Sequence, residues 1–183
     1  MSVAFQGVPG AFSHEACRVF LPDDRPIGRA TFAEVIETVL DGEADLGMLP
    51  FENNSAGAVE EVQALLAVAE GIRIVARHTL PIRIHLLGLQ GSNIARLRTA
   101  VSHPMALKLC TVTLAELGLA AEPASNTAAA AQMLSDPTKA VLASESAAEA
   151  YDLVILRRDL QDNAENATTF CIIARQDECR PCL

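Results

Sequence analysis

Short apolar runs of strand length alternate with helix-length amphipathic segments along almost the whole chain, and this alternation limits the fold more than any other feature. A first strand is expected over 3–6, then the tight turn Gly7-Val8-Pro9-Gly10-Ala11 and a helix over 14–20 capped by Ser13. Thr31-Phe32-Ala33-Glu34 has the form of a capping box. Val35, Ile36, Val39 and Leu40 follow at helical spacing, and Gly42 closes that helix. A buried strand over 46–49 is stopped by Pro50, and Val59, Val62, Leu65, Leu66 and Ala69 mark one face of a helix. Further strands are expected over 72–79 and 82–89, joined through Leu80-Pro81, and over 99–102, 120–122, 139–143, 154–156 and 170–174. Helices fall between them over 104–117, 127–134 (capped by Ser125 or Asn126) and 146–151. The β-α-β-α order predicts an α/β fold with mostly parallel pairing. The break at Leu80-Pro81 and the late return at 168 divide it into two lobes, one about 1–78 plus 168–183, the other about 79–167.

A net charge of −9, aromatic residues at 4%, no Trp and no basic patch or arm exclude nucleic acid as the expected partner. There is no signal-like leader and no apolar run of about 18 residues, so no membrane span is expected and the predicted location is cytoplasmic. Cys17, Cys110 and Cys171 read as small core residues in a reducing compartment. The Cys179-Arg180-Pro181-Cys182 pair reads as a dangling tail, since a lone CxxC lacks the further ligands of a zinc site. His14, His78, His85 and His103 show no HxH or HxxxH spacing, so no metal is expected. Without GxGxxG, P-loop or GxSxG patterns, neither nucleotide binding nor serine-hydrolase chemistry is supported.

Small and hydroxyl residues gather where strands give way to helices: Gly10-Ala11-Phe12-Ser13, Ser102-His103-Pro104, Ser125-Asn126-Thr127 and Ser144-Glu145-Ser146. In open α/β sheets ligands bind outside the carboxyl ends of strands, where helix N-termini offer unpaired N–H groups to an anion. Each junction alone is equally what a good N-cap looks like. Pro50-Phe51-Glu52-Asn53-Asn54-Ser55-Ala56-Gly57 is a polar, amide-rich loop suited to gripping a ligand. Glu52 is its one carboxylate, an acid, a base or, by preference, an anchor for nearby backbone N–H groups. Asn166-Ala167-Thr168-Thr169-Phe170 opens the last strand with hydroxyls, at what reads as the rim of a sheet.

Taken in order, several of these stretches resemble the catalytic domain of prephenate dehydratase: Phe5-Gln6-Gly7-Val8-Pro9-Gly10-Ala11-Phe12-Ser13; Pro50-Phe51-Glu52-Asn53 with Gly57; Ser102-His103-Pro104 with Ala106, Leu107 and Cys110; Asn126-Thr127-Ala128; Ala143-Ser144 with Ala147, Ala148 and Tyr151; and Gln161-Asp162, Asn166, Thr168 and Phe170. The resemblance implies a two-lobed fold like type II periplasmic binding proteins with a central interlobe cleft. It implies decarboxylating dehydration of prephenate (or arogenate) in phenylalanine biosynthesis, no cofactor, and a homodimer. It makes Thr168 the essential catalytic residue and places Ala11, Phe12, Ser13, Glu52, Asn53, Ser102, Asn126, Thr127 and Phe170 around the substrate. There are departures. Thr169 stands where the family usually has Arg, which removes a cation from a site handling a dianion. Leu109 replaces a usual Gln, Met105 a usual polar residue, Asn54 a usual Ser or Thr, and Asn126 a common Asp. No ACT regulatory domain is expected after Arg175. The alternatives are a diverged, non-aromatising prephenate decarboxylase and a non-catalytic small-anion binding module.

Overall fold

The computed structural model describes residues 1–176, so the Cys179-Cys182 pair lies outside the described residues. In chain order the elements are β1 (Ser2–Gln6), α1 (Phe12–Phe20), β2 (Arg25–Arg29), α2 (Phe32–Leu40), β3 (Leu46–Asn53), β4 (Gly57–Ala58), α3 (Glu60–Val68) and β5 (Ile72–Pro81). They continue with β6 (His85–Gly88), β7 (Thr99–Ser102), α4 (Pro104–Lys108), α5 (Thr111–Glu116), β8 (Ala120–Pro123), α6 (Thr127–Gln132), β9 (Lys139–Ala143), α7 (Glu145–Ala150), β10 (Val154–Arg157) and β11 (Ala167–Arg175). They form two compact units. One holds Met1–Val8, Phe12–Pro81 and the chain from Ala167; the other holds Pro9–Ala11 and Ile82–Asn166.

The first unit is built on a sheet ordered β2-β1-β3-β11-β5, with β4 hung on β3. Its left half, β2-β1-β3, is parallel; β11 runs antiparallel to both neighbours. The expected mostly parallel pairing therefore gives way to a mixed sheet. The cause is topological: β5 carries the chain out of this unit and β11 brings it back, and an outgoing and a returning strand laid side by side run in opposite directions. Apolar Val35, Ile36 and Val39 of α2 and Val62 of α3 pack on Leu49, Cys171 and Ile173, which closes one face. α1 lies on the other, where Phe20 stacks on His78 with ring centroids 4.8 Å apart. The capping box forms: Thr31 Oγ1 accepts from the Glu34 N–H while the Glu34 carboxylate accepts from the Ala30 N–H.

Two further expectations change here. Helix α1 starts at Phe12, so Ser13 lies inside its first turn and is not the cap. Strand β3 runs through Pro50 to Asn53. The β1 ladder ends at Met48, and β11 meets Pro50 at a register shift, so the N–H that proline lacks is not demanded by either neighbour.

The second unit is a sheet ordered β10-β6-β9-β7-β8, again mixed: β7 is parallel to β8 and β9, and β6 is antiparallel to β9 and β10. Ala130 and Ala131 of α6 and Ala147 and Ala148 of α7 pack closely on Leu87, Val141 and Ala143. The single helix expected over 104–117 is two, α4 and α5, broken at Leu109-Cys110.

Candidate functional site

Thr168 is the second residue of β11 and pairs directly with Asn53, the last residue of β3. Both are buried, Thr168 at 8% exposed and Asn53 at 9%, and the Asn53 Nδ2 donates to Thr168 Oγ1 at 2.9 Å. The orientation of the Asn53 amide is fixed from its other end. Its Oδ1 accepts from the backbone N–H of Ser55 at 2.9 Å and of Ala56 at 2.8 Å, an Asx turn that leaves the NH2 group facing Thr168. The Thr168 oxygen is thus used as an acceptor, and its own proton is left to donate elsewhere. Asn53 has taken the anchoring role expected of Glu52, whose side chain is exposed at the β3–β4 pairing.

Thr169 does not share this arrangement. Successive residues of a strand project to opposite faces. Thr169 pairs with Thr79 on β5, its Oγ1 3.0 Å from the Thr79 Oγ1, on the face that continues into Cys171 and Ile173 under α2 and α3. Thr168 and Thr169 therefore have different neighbours, Thr168 the amide of Asn53 and Thr169 the hydroxyl of Thr79. Phe170, 2% exposed and paired with His78, is a core side chain on the α1 face.

One rung beyond Thr168, Asn54 and Ala167 clasp each other. The Asn54 N–H donates to the Ala167 carbonyl at 3.0 Å, and the Ala167 N–H donates to Asn54 Oδ1 at 2.9 Å. The pairing of Asn54 with Ala167, more than a hundred residues apart, has no local signal beyond an Asn at the point where a strand turns away.

In the second unit, Pro9–Ala11 is seated on α7. The carbonyl of Gly10 accepts from Ser144 Oγ at 2.7 Å, and that of Pro9 from the Tyr151 hydroxyl at 2.8 Å. Gly10 has φ +86°, and a Cβ there would stand 2.7 Å from the Ala147 Cα, so glycine is required on both counts. This gives Ser144, Ala147 and Tyr151 a common purpose, holding the turn that leads through Ala11 to Phe12 and Ser13. Ser102, at 0% exposed, donates to the Leu142 carbonyl at 2.8 Å and lies 3.4 Å from Thr127 Oγ1. Asn126 caps α6, its Oδ1 accepting from the N–H groups of Ala128 at 2.9 Å and Ala129 at 3.1 Å, so these donors are already satisfied within the chain. Burial pushes the thiols of Cys17 and Cys110 up to about 12 and that of Cys171 up to about 11, which leaves them as inert packing groups. Among the described residues no group of three or more His, Cys, Asp or Glu is placed to hold a metal ion, and no helix is long and apolar enough to cross a membrane.

Against known proteins, the prephenate dehydratase family model matches residues 3–178. A bifunctional N-acyl-homoserine lactone acylase/prephenate dehydratase of Komagataeibacter europaeus is 40% identical over 182 residues, covering 98% of this chain and 64% of that protein. An arogenate dehydratase/prephenate dehydratase of Arabidopsis thaliana is 37% identical over 177 residues, covering 95% and 46%. The prephenate dehydratase of Arthrobacter aurescens, solved with L-Phe, superposes with a TM-score of 0.90 at 26% identity, over 99% of this chain and 62% of that one. A lipoprotein of Bacillus subtilis, 10% identical with a TM-score of 0.52 over 97% of this chain and 84% of that one, shares the fold alone. The chain spans less than two thirds of the length of each of these dehydratase relatives. With the match running from the first strand to beyond the last described residue, the chain belongs to the prephenate dehydratase family.

Proposed function

We propose that this chain catalyses the decarboxylating dehydration of prephenate, or of its amino counterpart arogenate. The C1–carboxylate bond breaks and CO2 leaves; its electron pair enters the ring as the C4–O bond breaks, and the departing oxygen takes a proton through the Thr168 hydroxyl, which solvent replaces, and leaves as water. Aromatisation supplies the driving force, so the protein chiefly has to help the oxygen leave. The Thr168–Asn53 pair carries this reading. A hydroxyl whose oxygen already accepts from a fixed amide presents its O–H as a donor of set direction, which is what a departing oxygen needs. The first turn of α1, at Phe12 and Ser13, is proposed to meet a carboxylate through its backbone N–H groups.

The test is purified protein with prephenate, followed by ultraviolet absorbance and product mass. Phenylpyruvate is expected, and Thr168→Ala is expected to lower kcat by roughly 10²-fold or more with the fold intact. A non-aromatic product with CO2 release, or binding without turnover, would sink the dehydratase reading. The 40% identity to a bifunctional acylase supports a second reading, amide hydrolysis of an N-acyl-homoserine lactone. Release of free homoserine lactone would establish it, and its absence would remove it.

A further inference from the structure

We infer that Asn54 is a positioning residue for Thr168, acting as a side-chain rung that extends the β3–β11 ladder past the catalytic pair. This rests on the proposed role of Thr168. In an antiparallel ladder the residues flanking a non-bonded pair exchange two main-chain hydrogen bonds. Past Thr168 and Asn53 the next such pair is Ala167 and Asn54, and half of the exchange is regular: the Asn54 N–H donates to the Ala167 carbonyl at 3.0 Å. The other half is not. Beyond Asn53 the chain leaves β3 for the turn that leads to β4, and the Ala167 N–H is met by the Asn54 side-chain Oδ1 at 2.9 Å. The carboxamide supplies the acceptor that a continuing strand would have supplied from its backbone.

The consequence reaches Thr168 because of where the substitution falls. Ala167 is the first residue of β11; β5 holds this end from the far side through the Ala167–Pro81 and Thr168–Leu80 pairs, and the Asn54 rung ties it to β3 beyond Asn53. Asn53, on the other side, is held by the Asx turn through Ser55 and Ala56, whichever way β11 moves. In the 2.9 Å contact between Asn53 Nδ2 and Thr168 Oγ1, Asn53 is fixed by its own turn, and the distance of Thr168 from it is set by β5 on one side and by the Asn54 rung on the other. Serine or aspartate at 54 keeps an oxygen within reach of the Ala167 N–H; alanine does not. Asn54 itself is exposed, so its replacement leaves no cavity.

The experiment compares wild type, Asn54→Ala and Asn54→Asp by amide hydrogen exchange of Ala167 and by steady-state kinetics with prephenate. In Asn54→Ala the Ala167 amide is expected to exchange about tenfold faster, as for the loss of one hydrogen bond. In the same variant kcat should fall about tenfold or more while KM stays within about twofold, the pattern of a displaced catalytic group. Asn54→Asp is expected to restore both. Unchanged Ala167 exchange in Asn54→Ala overturns the inference whether or not the protein turns over prephenate. Faster exchange with unchanged kcat overturns the positioning role, and so does a fall in kcat that Asn54→Asp fails to restore. A wild type with no turnover sinks the dehydratase reading and, with it, the positioning role, while the exchange comparison still decides whether the Asn54 rung exists.

Discussion

At the scale of single residues, what separates Thr168 from its neighbours is which way each points and what already holds it. Thr168 faces Asn53, Thr169 faces Thr79, and Phe170 is core. His85 of β6 is another residue with a fixed commitment. It is 4% exposed, and its Nδ1 accepts from the Asp159 N–H at 3.1 Å. Burial holds its pKa below the ordinary 6.5, opposed by the Asp159 carboxylate. Arg158 also lowers it, Glu145 raises it, and Arg83 lowers it. Below pH about 6.5 the unfolded chain therefore takes up a proton that the folded chain resists, so this contribution to stability is full above that pH and is lost as pH falls. His14 adds in the same direction, lowered by burial and by Arg18. Urea midpoints measured from pH about 7.5 down to about 5.5 are expected to drop, and less steeply in His85→Asn, whose amide oxygen can still accept from Asp159. Equal slopes in the two proteins would show that His85 is not the group responsible.

At the scale of elements, local sequence signals match the structure wherever the cause is local. The Thr31–Glu34 box, the helical spacing of α2 and the apolar run of β9 all gave elements at their expected places. They misled where the cause was distant in sequence. Nothing near Leu109-Cys110 announces a helix break. Cys110, at the N-terminus of α5, offers no side-chain cap, and the missing acceptor comes from Asp162, about fifty residues on. Its Oδ2 accepts from the Val112 N–H at 3.0 Å and its Oδ1 from the Thr113 N–H at 3.1 Å, while the Asp162 N–H donates to the Leu109 carbonyl at 2.7 Å. The Gln161-Asp162 part of the resemblance thus has a physical cause on each residue, since Gln161 Oε1 accepts from the Ile84 N–H at 2.9 Å. Asp162→Ala is expected to cost about 1 kcal/mol, the usual cost of a lost N-cap, measured as a shift in the urea midpoint with unchanged m-value. A shift no larger than that of a neutral surface substitution would mean that α5 does not depend on this cap.

At the scale of the whole molecule, the chain lends Pro9–Ala11 to the second unit, passes into it at Pro81-Ile82 and returns at Asn166-Ala167, and each unit has its own apolar cluster. The alternation of strands and helices foretold the α/β class but not the pairing. Direction depends on which strands become neighbours, and β11 finds its place between β3 and β5 only once the whole second unit has been made. The cysteines give each unit a separate reporter. Cys17 and Cys171 belong to the first and Cys110 to the second, all fully buried and with thiols pushed up to about 11 or about 12. In a variant carrying Cys179→Ser and Cys182→Ser these three are the thiols that remain, out of five. Thiolate is the reactive form, so at pH about 8 a disulfide reagent should find almost none of it in the folded protein. Opening of a unit exposes its cysteines and returns their pKa towards about 8.5. Labelling across a guanidinium series, read peptide by peptide by mass, is therefore expected to follow the unfolding transition for all three, with negligible reaction on the native plateau. A thiol that reacts on that plateau at the rate of the unfolded chain would show that the cluster around it is open in the folded protein.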